Sequence, residues 1–513
     1  MTIRRTIPAA LLVIAALLAP VPESARASDE TIPPRSWIYP ALRDFETLGL
    51  VDLAAAQPYT RSEVEAYVDR IMQSLEGYGA LTPRQEFLLG RLRLEFQGME
   101  NSPEDREDPP VWMMREGRRF FAFDLEIGGA FAKRVCADRS EADGLLIPTF
   151  LLGMGGAVTM EMNYIATLGP EWEDGCDYRG YSRVRSWRGL TSEYERGYVA
   201  FSGKRWRLQL GRDYIQWGPL TPDGLLMSSS ARSHDHLGFD ISMGRFTLRT
   251  FQAVLDSYMP RRLAGHRLEI RLPARIQAGL GETVLYTGRY LDWAYLIPFG
   301  PFYANQYNEK EDDNILWSFD LKVPVTRGLV LSGEFLIDDL QYESDPPAPD
   351  KTGWTVRADC LFMPWGHDLG IKASYTRIDI YTYSHKDSLM TAYVTGDGEK
   401  LSNTIIGDQL GPDADRWRLR VYTPLHPRAL LHLDGSWSRF GEGSDMRQWE
   451  WGEDPDPPFP SGEVTRQDIY SAGLTIDLSH GSFIEAAGGI ARRSGAGEED
   501  DEGFGNLSIV WDF

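Results

Sequence analysis

The chain has 513 residues, 42% of them apolar and 25% charged, with a formal net charge of −22. This balance excludes a disordered chain of low hydrophobicity, and the lack of repeated apolar runs of about 20 residues excludes a helical transporter. So acidic a chain is also poorly suited to phosphate contacts, so no nucleic-acid partner is expected.

The N-terminus carries one continuous apolar run, Ala9 to Ala19, behind Arg4 and Arg5 and followed by Ala25-Arg26-Ala27. It is too short to span a membrane and predicts a signal peptide over 1–27, cleaved after Ala27. Export is therefore expected. No Cys follows the run, so a lipid anchor at a processed N-terminal Cys is not expected.

Residues 28–98 predict a small helical periplasmic domain. Ala41, Leu42, Phe45 and Leu48 keep helical spacing and Gly49 suits a helix end. Thr60 is placed to cap a second helix through Val64, Tyr67, Val68 and Ile71, and Thr82-Pro83 opens a third through Phe87, Leu88 and Leu92. The acidic, Pro-containing stretch 99–117 reads as a linker.

From 118 to 513 the apolar period changes to two. Trp206, Leu208 and Leu210 alternate with Arg205, Arg207 and Gln209; Leu268, Ile270 and Leu272 with Arg267, Glu269 and Arg271. Trp317, Phe319 and Leu321 alternate with Ser318, Asp320 and Lys322, and Trp417, Leu419 and Val421 with Arg416, Arg418 and Arg420. A soluble sandwich also alternates, but three features point to a lipid-facing wall. Charged residues occupy mid-strand polar positions, aromatic residues recur near strand ends, and the chain finishes on Phe513 behind alternating apolar residues.

The expected fold is an all-β transmembrane barrel of about 16–18 antiparallel strands behind the helical segment, located in an outer membrane. Leu145 to Met162 is nearly uncharged, but Pro148 and Gly153, Gly155 and Gly156 predict two strands joined by a turn rather than a membrane helix. Long polar insertions at Arg179–Glu195, Ser384–Asp415 and Gly441–Gln467 read as outer loops. Cys136 and Cys176 lie in polar stretches where a disulfide is an open alternative, while Cys360 reads as a small hydrophobe.

Residues 211–231, GRDYIQWGPLTPDGLLMSSSA, place Trp217-Gly218-Pro219 after an Arg that closes a strand. This pattern resembles the capsule-assembly Wzi family, with lesser matches at Asn314 and at Asp338-Asp339. The resemblance implies a large outer-membrane barrel acting as a lectin that holds capsular polysaccharide, not an enzyme. The words SWIYPALRDFETLGLVD and PYTRSEVEAYVDRI resemble S-layer homology repeats, which implies peptidoglycan as a further partner of the helices; a plug or spacer is the alternative.

Surface polysaccharide, either capsule or lipopolysaccharide, and outer-membrane lipid are the expected partners. The candidate carbohydrate-binding residues are Arg205, Arg207, Arg212, Trp217, Arg249, Arg267, Arg271, Arg416, Arg418, Trp449 and Trp451. Guanidinium suits bidentate recognition of carboxylate or phosphate, although pairing with Glu269, Asp320, Glu334, Asp359 and Asp477 would make the same residues structural, as would a clamp role for Arg212. Trp293, Tyr303 and Tyr307, near Asn305 and Gln306, are exposed candidates for contact with a sugar ring, with an interface belt as the alternative and the favoured reading for Trp293.

His234-Asp235-His236 reads as an ordinary polar loop, since two imidazoles do not make a metal site, and Glu309 to Asp313 reads as solvated. No metal or cofactor is expected. Two rival functions remain: a substrate-selective porin with an Arg-lined interior, and an outer-membrane lipase or deacylase using Ser228 or Ser229 with His234 or His236.

Overall fold

The computed structural model describes residues 28–97, 106, 109–117, 119–134, 139–168, 190–221, 223–228, 231–256, 261–290, 292–297, 300–340, 348–394, 404–450, 452–478, 481–495 and 497–512. Among these, eighteen antiparallel strands form a closed ring that runs from Arg119–Arg134 to Glu498–Asp512. It closes where Glu126 to Arg134 pairs with Phe504 to Asp512. Closure leaves no sheet edge, so the backbone can cross hydrocarbon with its hydrogen bonds made within the protein. A further strand, Trp112–Glu116, lies inside the stretch expected as linker and pairs with Arg119 to Phe123, beyond the reach of the last strand.

The two faces of the wall follow from the period of two. Along Asn314–Thr326, Ser318, Asp320 and Lys322 are buried while Phe319 and Leu321 are exposed. Exposed apolar side chains alternating with buried charges are the inverse of a soluble protein and mark an exterior that faces lipid. The segment 145–162 is two strands, Arg139–Met154 and Val158–Leu168, turning at Gly155 and Gly156 with φ of 65° and 70°. Among the described residues no helix is long and apolar enough to cross a membrane.

One end of the ring has short turns, such as Gly244-Arg245 and Arg327-Gly328, and the other has long connections. Short turns place the first end in the periplasm. Three helices fill it: α1 (Ile38–Thr47), α2 (Arg61–Ser74) and α3 (Pro83–Phe96). Thr60 caps α2 in a capping box with Glu63, Thr82 caps α3 with Gln85, and Gly49 takes a φ of 83° just beyond α1.

Their apolar faces bury Leu42, Phe45, Val68, Ile71 and Leu92 against one another and against Leu361 of the wall. Polar contacts come from around the ring. Lys322 donates to Glu46 at 2.5 Å and to the Leu53 carbonyl at 2.7 Å, Tyr422 to Asp44 at 2.7 Å, and Arg84 to Asp477 at 2.6 Å. Thr82 and Gln85 both reach Asp368. The helices therefore sit among luminal side chains as a plug.

Candidate functional site

The connection between the strands Trp206–Asp213 and His234–Met243 folds into the lumen. Trp217 is buried and meets the Phe251 ring edge-on at 5.0 Å; Leu225, Leu226 and Met227 are buried in the same cluster. Burial of these side chains drives the loop inward, but its backbone then leaves water and needs partners. Luminal charges supply them. Glu334 accepts the N–H groups of Leu225 and Leu226 at 2.9 and 3.1 Å, and Arg357 donates to the carbonyls of Pro219, Leu220 and Thr221 at 2.6, 3.0 and 3.2 Å. Arg43 of α1 adds a bond to Pro219 at 3.1 Å, tying the plug to this loop.

The connection after Leu369–Ile378 also turns inward. Tyr383 donates from its hydroxyl to the Leu225 carbonyl at 2.7 Å, and the Ser228 N–H reaches Ile406 at 3.0 Å, so the two loops hold each other. Arg261 is buried and donates to the carbonyls of Leu389 and Thr391, Asn314 donates to Met390 at 2.8 Å, and Asp338 accepts the Tyr383 N–H at 2.6 Å. Trp217-Gly218-Pro219, Asn314 and Asp338, the positions that carry the family resemblance, thus belong to or pin the inward loops.

Above them lies an outer cap made with residues 441–464. Asp413, at a φ of 56°, accepts N–H groups from Gly443 and Ser461 at 2.9 Å each and the Ser461 hydroxyl at 2.5 Å. Tyr381 donates to Glu453 at 3.0 Å, Gln448 to Ser384 at 3.3 Å, and the Arg377 guanidinium lies 3.7 Å from the centre of the Phe459 ring. Glu453 also accepts a backbone bond from Glu450 and one from Arg447, and these contacts hold its carboxyl below its ordinary range. Trp449 is half-buried here, and Trp451 lies outside the described residues.

The other candidate residues are dispersed. Arg207 and Arg249 line a cavity of about 200 Å3 between α2 and the wall, with Trp217, His236 and Glu63. Arg207 donates to the Asp29 carbonyl at 2.7 Å, and Arg249 is 2.7 Å from Asp240, 3.5 Å from Glu63 and 3.6 Å from Glu269. Arg267 forks onto Asp320 at 2.5 and 3.0 Å and meets Glu269 at 3.1 Å. Arg416 reaches both oxygens of Asp408 at 2.9 Å, and Arg418 pairs with Asp223 of the first inward loop. Arg271 is half-buried near the short turns.

Several expectations change. Arg205 lies on an exposed turn before the strand, not on its luminal face. Arg212 faces outward and makes a bidentate pair with Asp235 at 2.9 Å. His234, Asp235 and His236 form a strand rather than a loop, with both imidazoles buried on the luminal side and Asp235 exposed. Strand alternation puts Asp235 on the opposite face from both imidazoles, so the three cannot act as one cluster. Asp313 is buried, not solvated, and accepts Tyr295 and Arg289 at 2.5 Å each.

Cys136, Cys176 and Ser229 lie outside the described residues, whereas Cys360 is half-buried and unbonded to sulfur. Among the described residues no cluster of three or more His, Cys, Asp or Glu could hold a metal ion. Sequence reasoning missed Arg357, Arg261 and Asp413 because their partners are backbone groups far along the chain.

Residues 153–503 match the family described as capsule assembly protein Wzi. The fold is similar to that of Wzi from Escherichia coli, an outer-membrane protein involved in group 1 capsule assembly and described as a carbohydrate-binding β-barrel. The TM-score is 0.61 at 11% identity, covering 95% of this chain and 99% of that one. Pseudomonas aeruginosa OprD aligns more loosely, with a TM-score of 0.45 at 11% identity over 77% of this chain and 95% of that one. No curated protein matches by sequence comparison. The chain belongs to the Wzi family of capsule assembly proteins and is an outer-membrane β-barrel.

Proposed function

We propose that this barrel binds surface polysaccharide at its outer end and assists capsule assembly without catalysing a reaction. The observation that carries this is the folded outer cap, where half-buried Trp449 and Gln448 and exposed Arg447 stand on a framework held by Tyr381, Asp413 and Glu453. Aromatic faces set among fixed polar groups are what sugar rings and hydroxyls bind. Arg418, partly exposed beside Asp223, extends the candidate surface. Arg207, Arg249, Arg267 and Arg416 support the binding surface by holding the lumen together, while Ser228 is buried at the contact of the two inward loops, which disfavours a lipase built on Ser228.

Polysaccharide from the host's own capsule, immobilised for surface plasmon resonance with the detergent-solubilised protein as analyte, tests the proposal. Saturable binding that a Trp449→Ala variant weakens is expected. No binding by the wild type, together with unchanged capsule on cells that lack the protein, removes it.

One observation favours solute passage as a second reading. Beside the strands Thr465–Asp477 and Phe483–Gly495 the luminal positions are small, and Ser471, Ala487, Gly489 and Ala491 are part-exposed. Planar-bilayer recordings separate the two: a steady conductance blocked by a small anion supports passage, and silence supports the lectin.

A further inference from the structure

The described part of the connection between Gln277–Tyr286 and Asn314–Thr326 behaves unlike the two inward loops. It folds down over the outside of the wall. On the strand Gln277–Tyr286, Gln277 bonds the plug and the Gly279 and Gly281 positions face luminal residues, so Leu280, Glu282, Val284 and Tyr286 point outward. Yet Val284 and Tyr286 are fully buried, as is Ala264 on the neighbouring strand, and the groups that bury them are Tyr295 and Phe302 of the connection.

The polar groups on this outer surface explain the fold. On the strands alone Glu282 would be a carboxylate on the lipid side with only Trp317 and His266 as partners, a position of high desolvation cost. Instead it accepts the N–H of Phe302 at 3.0 Å at the start of α4 (Phe302–Glu309), the Trp317 indole N–H at 2.6 Å, and a 2.8 Å contact from His266. The His266 and Phe302 rings lie 4.3 Å apart. Gln252, also outward, bridges the Tyr295 carbonyl at 2.7 Å and the Tyr286 hydroxyl at 2.9 Å. The connection thereby satisfies a polar patch that the strands alone would leave facing acyl chains.

Covering this patch turns a new surface outward. Trp293 is 77% exposed, Tyr307 78% and Tyr303 52%, with Tyr303 packed on the outward Trp317 at 6.1 Å between ring centres. The wall's own apolar stripe is short here. From Gln277 to Glu282 it rises only ~13 Å at the usual strand tilt of ~40°, about half of the ~25 Å apolar band of an outer-membrane barrel.

We propose that the described residues between 287 and 313 form an external saddle embedded in the outer leaflet, whose Trp293, Tyr303 and Tyr307 continue the interrupted lipid-facing stripe at the boundary between acyl chains and headgroups. The occupant of this surface is membrane lipid. Its continuity with exposed Leu280 and Phe319 on the same outer face argues for lipid over a glycan or a second copy of the chain, and flat amphipathic rings are the residues that settle at such a boundary.

The test uses full-length protein with Cys136, Cys176 and Cys360 changed to Ser, carrying a nitroxide at Tyr307→Cys, in vesicles of phosphatidylethanolamine and phosphatidylglycerol. Labels at Phe319→Cys and Met446→Cys serve as lipid-facing and cap references. Collision with oxygen exceeding collision with a water-soluble nickel chelate at Tyr307, close to the ratio at Phe319 and several-fold above that at Met446, is the expected result. A ratio like that of Met446 overturns the proposal, and so does protection from both relaxants with dipolar broadening, which would mean contact with a second copy. Should the labelled variant not fold, quenching of native tryptophan emission by brominated phospholipid decides. Trp293→Phe is expected to lose part of the quenched emission, and an unchanged quenched fraction overturns the assignment.

Discussion

Glu334 accepts the Leu225 amide at 2.9 Å across the lumen, joining two positions that are 109 residues apart. One carboxylate so placed satisfies two buried N–H groups and fixes the depth of the inward loop. We predict that Glu334→Ala lowers stability by about 3 kcal/mol, the cost of removing charge-assisted hydrogen bonds and leaving buried donors unpaired. Thermal unfolding in detergent, followed by tryptophan fluorescence, measures it; a midpoint equal to that of the wild type contradicts the pin.

Gly218 holds a φ of 96°, and a Cβ there would lie 3.4 Å from a Glu334 oxygen. Left-handed backbone disfavours any side chain, so Gly218→Ala is predicted to cost about 1–2 kcal/mol. Because that cost lies in the backbone and the Cβ would meet Glu334 only at ordinary contact distance, it should add to the cost of Glu334→Ala. Strong non-additivity in a double-mutant cycle counts against a backbone origin.

Glu30 ties the segment before α1 to α2 and to Arg106, at 2.8 Å from Arg61 and 3.0 Å from Arg106. Burial alone would raise its carboxyl, but Arg106 and Arg61, with the Ser28 hydroxyl, outweigh that and hold it well below the ordinary carboxylate range. A group depressed on folding contributes stability that is complete above its unfolded value and is lost as pH falls through the folded value. Proteolysis of the helical plug should therefore stay slow at neutral pH and accelerate only under strongly acidic conditions. Glu30→Gln should release it at pH 7; equal cleavage of both proteins there counts against this ion pair as the fastening.

In the outer cap, Arg447 pairs with Glu453 at 2.7 Å with both side chains part-exposed, an arrangement that solvent screening leaves with little net contribution to folding. Arg447→Ala is therefore predicted to leave the unfolding midpoint nearly unchanged, and Trp449→Ala, which removes a half-buried ring, to lower it modestly. If the cap holds polysaccharide, each should weaken that binding roughly fivefold or more, the cost of losing an anchoring side chain. Equal affinity of both variants and wild type would move the binding surface elsewhere.

Local order alone determined much of this protein. Thr60 with Glu63 and Thr82-Pro83 with Gln85 start helices wherever they occur, and a period of two separates Phe319 and Leu321 from Asp320 and Lys322 in any strand. These are effects between residues a few positions apart, so they were legible. The direction of the long connections was decided only in three dimensions. The inward loop depends on Leu225 meeting Glu334 and on Met390 meeting Asn314, and the external saddle on Phe302 meeting Glu282. The same distance in sequence hid the fate of the luminal Arg residues, since Arg267 forks onto Asp320 two strands away and Arg418 pairs with Asp223 of the inward loop. A buried charge or N–H must find a partner, but which partner it finds is a property of the closed ring, because closure alone sets which strands and loops face one another.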